Sequence, residues 1–207
     1  MSEHLYTYIN PPNEKDLKRI CHLLENDGLI ALPMDTNWAF CWDPTSKKAI
    51  QKLGKIKPNN QEHNPFSIIC GDLSMAATMV QIGNSEYRLL KRILPGPFTA
   101  ILKSQPSLPK RLHDKRQTVG IRIPNEQITR DLIQYWDKPL AATSIPLDAD
   151  NQIIQMGYQV FELFGHGIDM VVDIGEELPG GETTVVDLTT EEIEILRIGV
   201  GDIALLD

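Results

Sequence analysis

The apolar residues alternate between helical and extended periods along the whole chain. Over residues 13–27, Leu17, Ile20, Cys21, Leu23 and Leu24 fall on one helical face, with Asn13 placed to cap the start and Gly28 just past the end. Leu29-Ile30-Ala31-Leu32 is a short apolar run stopped by Pro33, the pattern of a strand buried on both faces. Residues 46–56 predict a helix through Ala49, Ile50, Leu53 and Ile56 that ends before Pro58, because the residue preceding a proline is pushed out of the helical region. Phe66 to Cys70 predicts a second buried strand. Helices follow near 72–80 and 85–94, the latter closed by Pro95-Gly96-Pro97, and then strands over 98–103 and 118–123. A helix over 125–136, a strand over 139–143 and a helix over 153–164 come next. The tail predicts strands over 168–173, 183–188 and 194–197. No repeat, low-complexity tract or linker divides the chain. Helices interleaved with buried strands predict a single α/β domain, a mixed sheet flanked by helices.

Composition narrows the classes. With 207 residues, 42% of them hydrophobic, the chain buries a core without covalent staples. The 20 Lys and Arg against 28 Asp and Glu leave a net charge of −8, which excludes a generally basic nucleic-acid coat but leaves room for a locally basic groove. Cys21, Cys41 and Cys70 are odd in number and form no C-x-x-C, so neither a disulfide framework nor a zinc ribbon is expected, and a reducing, cytoplasmic setting is. The polar start Met1-Ser2-Glu3-His4 has no apolar leader, and no apolar run approaches the ~18 residues of a membrane span.

The chemistry-bearing residues are dispersed. There is no G-x-x-x-x-G-K-[ST], no G-x-G-x-x-G after a strand, no G-x-S-x-G elbow and no H-E-x-x-H among His4, His22, His63, His113 and His166, so no metal held by protein side chains is expected. Asp35 and Thr36 follow the first buried strand, where ligands sit in open α/β sheets; an ordinary turn is the alternative. Lys55 and Lys57, if extended, project to one side as a paired cationic site, against the alternative of a solvated helix end where lysines favour the dipole. Arg122, inside Val119-Gly120-Ile121-Arg122-Ile123-Pro124, is costly in an apolar strand unless it meets a carboxylate ligand or a structural ion-pair partner. Arg197, in Ile195-Leu196-Arg197-Ile198, poses the same choice. Thr143 and Ser144 close one strand, and Thr183 and Thr184 open another after Gly180-Gly181, as phosphate or ribose partners or as turn chemistry.

Taken in order, these segments are more specific than any one of them. Pro33-Met34-Asp35-Thr36, Lys55-x-Lys57-Pro58, Asn64-Pro65-Phe66-Ser67-Ile68-Ile69 and Leu94-Pro95-Gly96-Pro97-Phe98-Thr99-Ala100-Ile101-Leu102 come first. Val119 to Pro124, Pro139-Leu140-Ala141-Ala142-Thr143-Ser144, Thr183-Thr184-Val185-Val186-Asp187-Leu188 and Ile195-Leu196-Arg197 follow. The set resembles the YrdC/YciO family, the threonylcarbamoyl-AMP synthase family, over roughly residues 13–203. Lys115-Arg116-Gln117-Thr118 and the closing Gly199-Val200-Gly201-Asp202 make it most similar to the YciO-like branch.

The resemblance implies a twisted mixed sheet around a large, positively lined concave groove. It implies a nucleotidyltransferase that joins ATP, L-threonine and bicarbonate into threonylcarbamoyl-AMP with release of pyrophosphate, serving the threonylcarbamoyl modification of a tRNA adenosine. Mg²⁺ comes with the ATP and keeps several waters. Lys55 and Lys57 are expected at phosphate or bicarbonate, Arg122 at the threonine carboxylate or the phosphates, Thr36, Thr143, Ser144 and Thr184 as hydrogen-bonding groups, and Arg197 at the triphosphate. On this expectation, removing Arg122 weakens ligand binding more than folding. The chain departs from the synthase pattern P-T-[DE]-T-x-Y-G-L at Met34 and Trp38-Ala39, from K-x-R-P at Lys57, with a longer stretch from Asn59 to His63, and from S-A-N at Ser144-Ile145-Pro146. The alternative is therefore a YciO-like paralogue that binds double-stranded RNA, tRNA or nucleotide without making the adenylate.

Overall fold

A computed structural model describes residues 2–7, 12–57, 66–108 and 116–207. The expectations placed on Pro58, on Asn59 to Pro65 and on Lys115 lie outside these residues. The elements are β1 (Glu3–Tyr6), α1 (Glu14–Glu25), β2 (Ile30–Pro33), β3 (Trp38–Trp42), α2 (Lys47–Ile56), β4 (Ser67–Ile69), α3 (Leu73–Met79), α4 (Asn84–Ile93), β5 (Phe98–Lys103) and β6 (Thr118–Arg122). Then come α5 (Gln127–Trp136), β7 (Leu140–Ser144), α6 (Gly157–Phe164), β8 (Met170–Asp173), β9 (Thr184–Asp187), β10 (Glu194–Arg197) and a closing 3-10 turn, Ile203–Leu206. All ten strands join one mixed sheet in the order β1-β8-β2-β3-β7-β4-β6-β5-β9-β10.

Local chemistry sets the helix ends. Asn13 accepts from Lys15 N at 3.0 Å and starts α1, and Ser46 accepts from Ala49 N at 3.0 Å and starts α2. After α1 the left-handed turn falls on Asp27, φ 61°, and not on Gly28. Gly28 is needed for close approach instead, since a Cβ there would lie 2.6 Å from the Leu23 carbonyl oxygen. The last predicted helix starts at Gly157 rather than near residue 153. Asp148 Oδ1 takes the amides of Asp150 and Gln152, and the Gln155 carbonyl accepts from Trp38 Nε1, which pins the preceding segment in a non-helical path.

Two strands escape the sequence pattern. β1 is a short edge strand. β3, Trp38-Ala39-Phe40-Cys41-Trp42, is buried throughout and forms a hairpin with β2, closed by Met34 N donating to the Asn37 carbonyl at 3.1 Å. Its alternate side chains serve two cores. Ala39 and Cys41 join a cluster with Leu17, Ile20 and Leu24 of α1 and Ile128, Leu132 and Trp136 of α5. Trp38, Phe40 and Trp42 join the larger cluster on the opposite face, beneath α2, α3, α4 and α6.

Candidate functional site

The helices cover the two faces of the sheet unequally. On the α1/α5 face, the buried cluster takes residues from β1, β8, β2, β3, β7 and β4 and none from β6, β5, β9 or β10. Register defines what those four strands present there. Ser67, Gly120, Ile101, Asp187 and Glu194 form one row, and Ile69, Arg122, Thr99, Val185 and Arg197 the next. Among the described residues no helix packs over this half of the face, which forms a floor of mixed polar and apolar side chains with Thr99 and Arg122 buried in it. Gly120 keeps it flat: a Cβ there would lie 2.9 Å from Thr99 Cγ2 and 3.3 Å from Ser67 Oγ.

Arg122 is 8% exposed and pairs with Asp35, also 8% exposed, Nη2 to Oδ1 at 2.8 Å. The other Asp35 oxygen accepts from Asn125 N at 3.2 Å, so the pair is single-pronged and Arg122 Nε is buried with no acceptor among the described residues. Asp35 sits in the β2–β3 turn and Arg122 at the end of β6, three strands along from β3; the accumulated twist of the sheet lets the two meet over one face. Burial pushes the Arg122 guanidinium down from its ordinary value, Asp35 holds it up, and the charge of Arg197 adds to the downward push. The two arginines therefore share one field across the floor. Arg197 is held in place by Thr183, Nε to the carbonyl at 3.1 Å and Nη2 to Oγ1 at 3.2 Å, and its Nη1 meets Glu182 at 3.0 Å.

Lys55 and Lys57 are not a side-by-side pair. Lys55 is exposed in the last turn of α2, the solvated helix-end position. Lys57 caps that helix and turns to the end of β7, where Nζ donates to Thr143 Oγ1 at 3.1 Å and to the Ser144 carbonyl at 2.8 Å. The helix extends to residue 56, so the extended spacing that would align the two lysines is absent. Burial lowers the Lys57 ammonium below the usual lysine range.

Of the hydroxyls, Ser144 is exposed at the end of β7 and Thr143 is buried against Lys57. Thr36 is buried in the hairpin turn, its hydroxyl 3.4 Å from Asn37 Oδ1, and its carbonyl accepts from Gly180 N at 2.8 Å. Thr184 corrects the sequence expectation. It is 0% exposed, donates to the Gly201 carbonyl at 2.8 Å and accepts from Gly199 N at 3.0 Å, so both hydroxyl functions fasten the C-terminal segment. Thr184→Val should cost about 1–3 kcal/mol of stability in urea unfolding by orphaning a buried carbonyl and amide, and leave nucleotide affinity unchanged. Its neighbour Thr183 takes the site position, bonded to Thr99 Oγ1 at 2.8 Å and to Arg197. Thr183 was named in the sequence beside Thr184, whereas Thr99 and Ser67 were absent from the sequence candidates. Their signal was present as a polar residue at alternate positions of strongly apolar strands.

A cavity of about 590 Å³ lies away from these groups, between the start of α4 and the ends of β5 and β9, lined by Gly83, Ser85, Glu86, Lys103, Thr189 and Glu191 among others. None of the candidate residues borders it. The open floor carries the arginines and the unsatisfied donor, so chemistry rather than enclosure picks it out. Among the described residues no cluster of His, Cys, Asp and Glu is arranged to hold a metal; of the carboxylates at the floor, Asp35 and Glu182 are each engaged by an arginine, and Asp187 and Glu194 lie opposite each other on β9 and β10.

The protein is a single α/β domain whose ten-stranded mixed sheet gathers two arginines, a lysine-capped strand end and several hydroxyls toward one half-face. The signature of the Sua5/YciO/YrdC family, described as "Telomere recombination", matches residues 22–199, and the chain belongs to that family. An uncharacterized protein of Haemophilus influenzae is 32% identical over 99% of both chains. The crystal structure of Escherichia coli YciO superposes with a TM-score of 0.91 at 28% identity, covering 99% of each chain. Human threonylcarbamoyl-AMP synthase is 28% identical over 85% of this chain and 64% of its own. No helix among the described residues is long and apolar enough to cross a membrane.

Proposed function

We propose that the open floor binds a nucleoside triphosphate with its Mg²⁺ and that the protein is a nucleotidyltransferase of the threonylcarbamoyl-AMP synthase type, taking ATP, L-threonine and bicarbonate. The observation that carries this reading is the buried Arg122 Nε without an acceptor, on the same row of the sheet as Arg197. A buried donor left unpaired calls for a ligand oxygen, and two arginines within each other's field call for a polyanion to offset their repulsion.

The chemistry asks for positioning and cations. The oxygen of an N-carboxylated threonine attacks the α-phosphorus and pyrophosphate leaves, with charge growing on the phosphoryl and leaving oxygens. Arg197, oriented by Thr183, meets the phosphates. Arg122 offers Nε to a carboxylate or phosphate oxygen while Asp35 holds its orientation. Lys57 supplies a cation beside Ser144, where bicarbonate or a phosphate reaches the strand end. Mg²⁺ would come with the nucleotide, neutralise phosphate charge and keep several waters, since no carboxylate cluster among the described residues is arranged to hold it.

Calorimetry with ATP and Mg²⁺ should give a micromolar to millimolar Kd, about −8 to −4 kcal/mol; no heat at millimolar nucleotide overturns the reading. Raising the pH should weaken anion binding with a midpoint below 10.5, because burial lowers Lys57 and its charge is lost early. Folding runs the other way. A depressed lysine is penalised while charged, so that penalty is present below the folded value and fades as pH rises through it. Threonine- and bicarbonate-dependent pyrophosphate release should be weak and rise about tenfold in Lys57→Arg, roughly 1.4 kcal/mol of transition-state stabilisation.

A second reading, a paralogue that holds nucleotide, double-stranded RNA or tRNA without forming the adenylate, is favoured by one feature. Lys57 has two hydrogen bonds committed to β7, and Ile145-Pro146 follow Ser144 where the synthase pattern has an amide. Nucleotide binding without pyrophosphate release in wild type or Lys57→Arg selects it.

A further inference from the structure

No element among the described residues covers the C-terminal edge of the sheet. β10 is the terminal strand, hydrogen-bonded to β9 on one side only, and every residue of it is exposed. Ile193, Ile195, Leu196, Ile198 and Val200 are all exposed, Ile198 at 69%, and the closing 3-10 turn adds two more aliphatic side chains. Soluble proteins blunt such edges with lysine, proline or a cover, and a contiguous aliphatic patch of this kind marks an interaction site.

The β9–β10 register slips by one residue between Ile195 and Arg197. Without that bulge, residues 194 and 197 would point to opposite faces. With it, Glu194 pairs with Asp187 and Arg197 with Val185, and both face the open-floor side. Ile195, opposite Val186, points to the other face, and by alternation so do Ile193 and Ile198. The strand thus has one face of opposite charges and one face of isoleucines.

We propose that β10 pairs antiparallel with β10 of a second copy of this chain, about a two-fold axis at Ile195 and with the bulged Leu196 left out of the pairing on each strand, joining the two sheets edge to edge. In this register Glu194 of one strand lies opposite Arg197 of the other, on the same face, and the relation repeats through the two-fold. On the opposite face the isoleucines of the two copies form one apolar strip. The patch is therefore self-complementary, as a closed two-fold contact requires. The pairing also supplies partners for the unpaired backbone groups of the edge and fixes the strand that carries Arg197.

Sedimentation and light scattering of the full chain should show a concentration-dependent species of twice the 23.3 kDa monomer mass at tens to hundreds of micromolar protein. Ile193→Lys and Ile198→Lys should each abolish it with an unchanged melting temperature, since both side chains are exposed in the monomer. Directly opposed residues across an antiparallel pair have Cα atoms about 4.5–5.5 Å apart, within disulfide range. Ile195→Cys should therefore cross-link to its own copy under mild oxidant. The native Cys21, Cys41 and Cys70 are buried and give no background. A monomer at every concentration, a dimer that survives both lysine variants, or no cross-link from Ile195→Cys overturns the proposal.

Discussion

Arg122→Met lowers the stability of the protein by about 3–5 kcal/mol in urea unfolding, because Asp35 is left as an uncompensated charge in a site nearly closed to water. The partner change Arg122→Met with Asp35→Leu recovers most of that loss, since removing both ends of a buried pair costs far less than removing one. If the proposed function holds, both variants should bind ATP more weakly than wild type. The sequence had Arg122 acting mainly on a ligand; its enclosure beside Asp35 makes it a folding determinant as well. If the single variant unfolds at the wild-type urea concentration, the pair is far more hydrated than its burial indicates.

Phe40→Ala costs about 3–5 kcal/mol, the range for emptying a large aromatic site in a close-packed core. Phe40 is fully buried and meets Phe164 edge-on, ring centroids 5.4 Å apart, on the helix-covered face opposite the arginine-lined floor. At matched folded concentration its nucleotide affinity should equal that of wild type. A change in affinity comparable to that of an Arg122 variant would contradict the separation of the sheet into one packed face and one open one.

Much of this architecture was legible in the sequence. The strand at 98–103 matches to the residue, and the helix capped by Asn13 starts where that side chain predicts. Burial on both faces makes near-continuous apolar runs, and these are easy to see. β3 was lost for the same physical reason read in reverse. Its small residues Ala39 and Cys41 lie under α1 and α5 while its aromatics fill the other face, so it shows neither alternation nor a uniform aliphatic run.

The candidate site divides along a similar line. The sequence by itself determined the residue types available, the strand ends that bear them and the α/β class, because caps, turn residues and apolar runs act over a few neighbouring positions. Only the tertiary structure decided partners. Asp35 and Arg122 are 87 positions apart, Lys57 and Thr143 are 86 apart, and Thr183 and Thr184 are adjacent in sequence yet do different work. Strand order, sheet twist and the bulge in β10 set which side chains share a face. Those are properties of non-local pairing, and no local spacing along the chain encodes them.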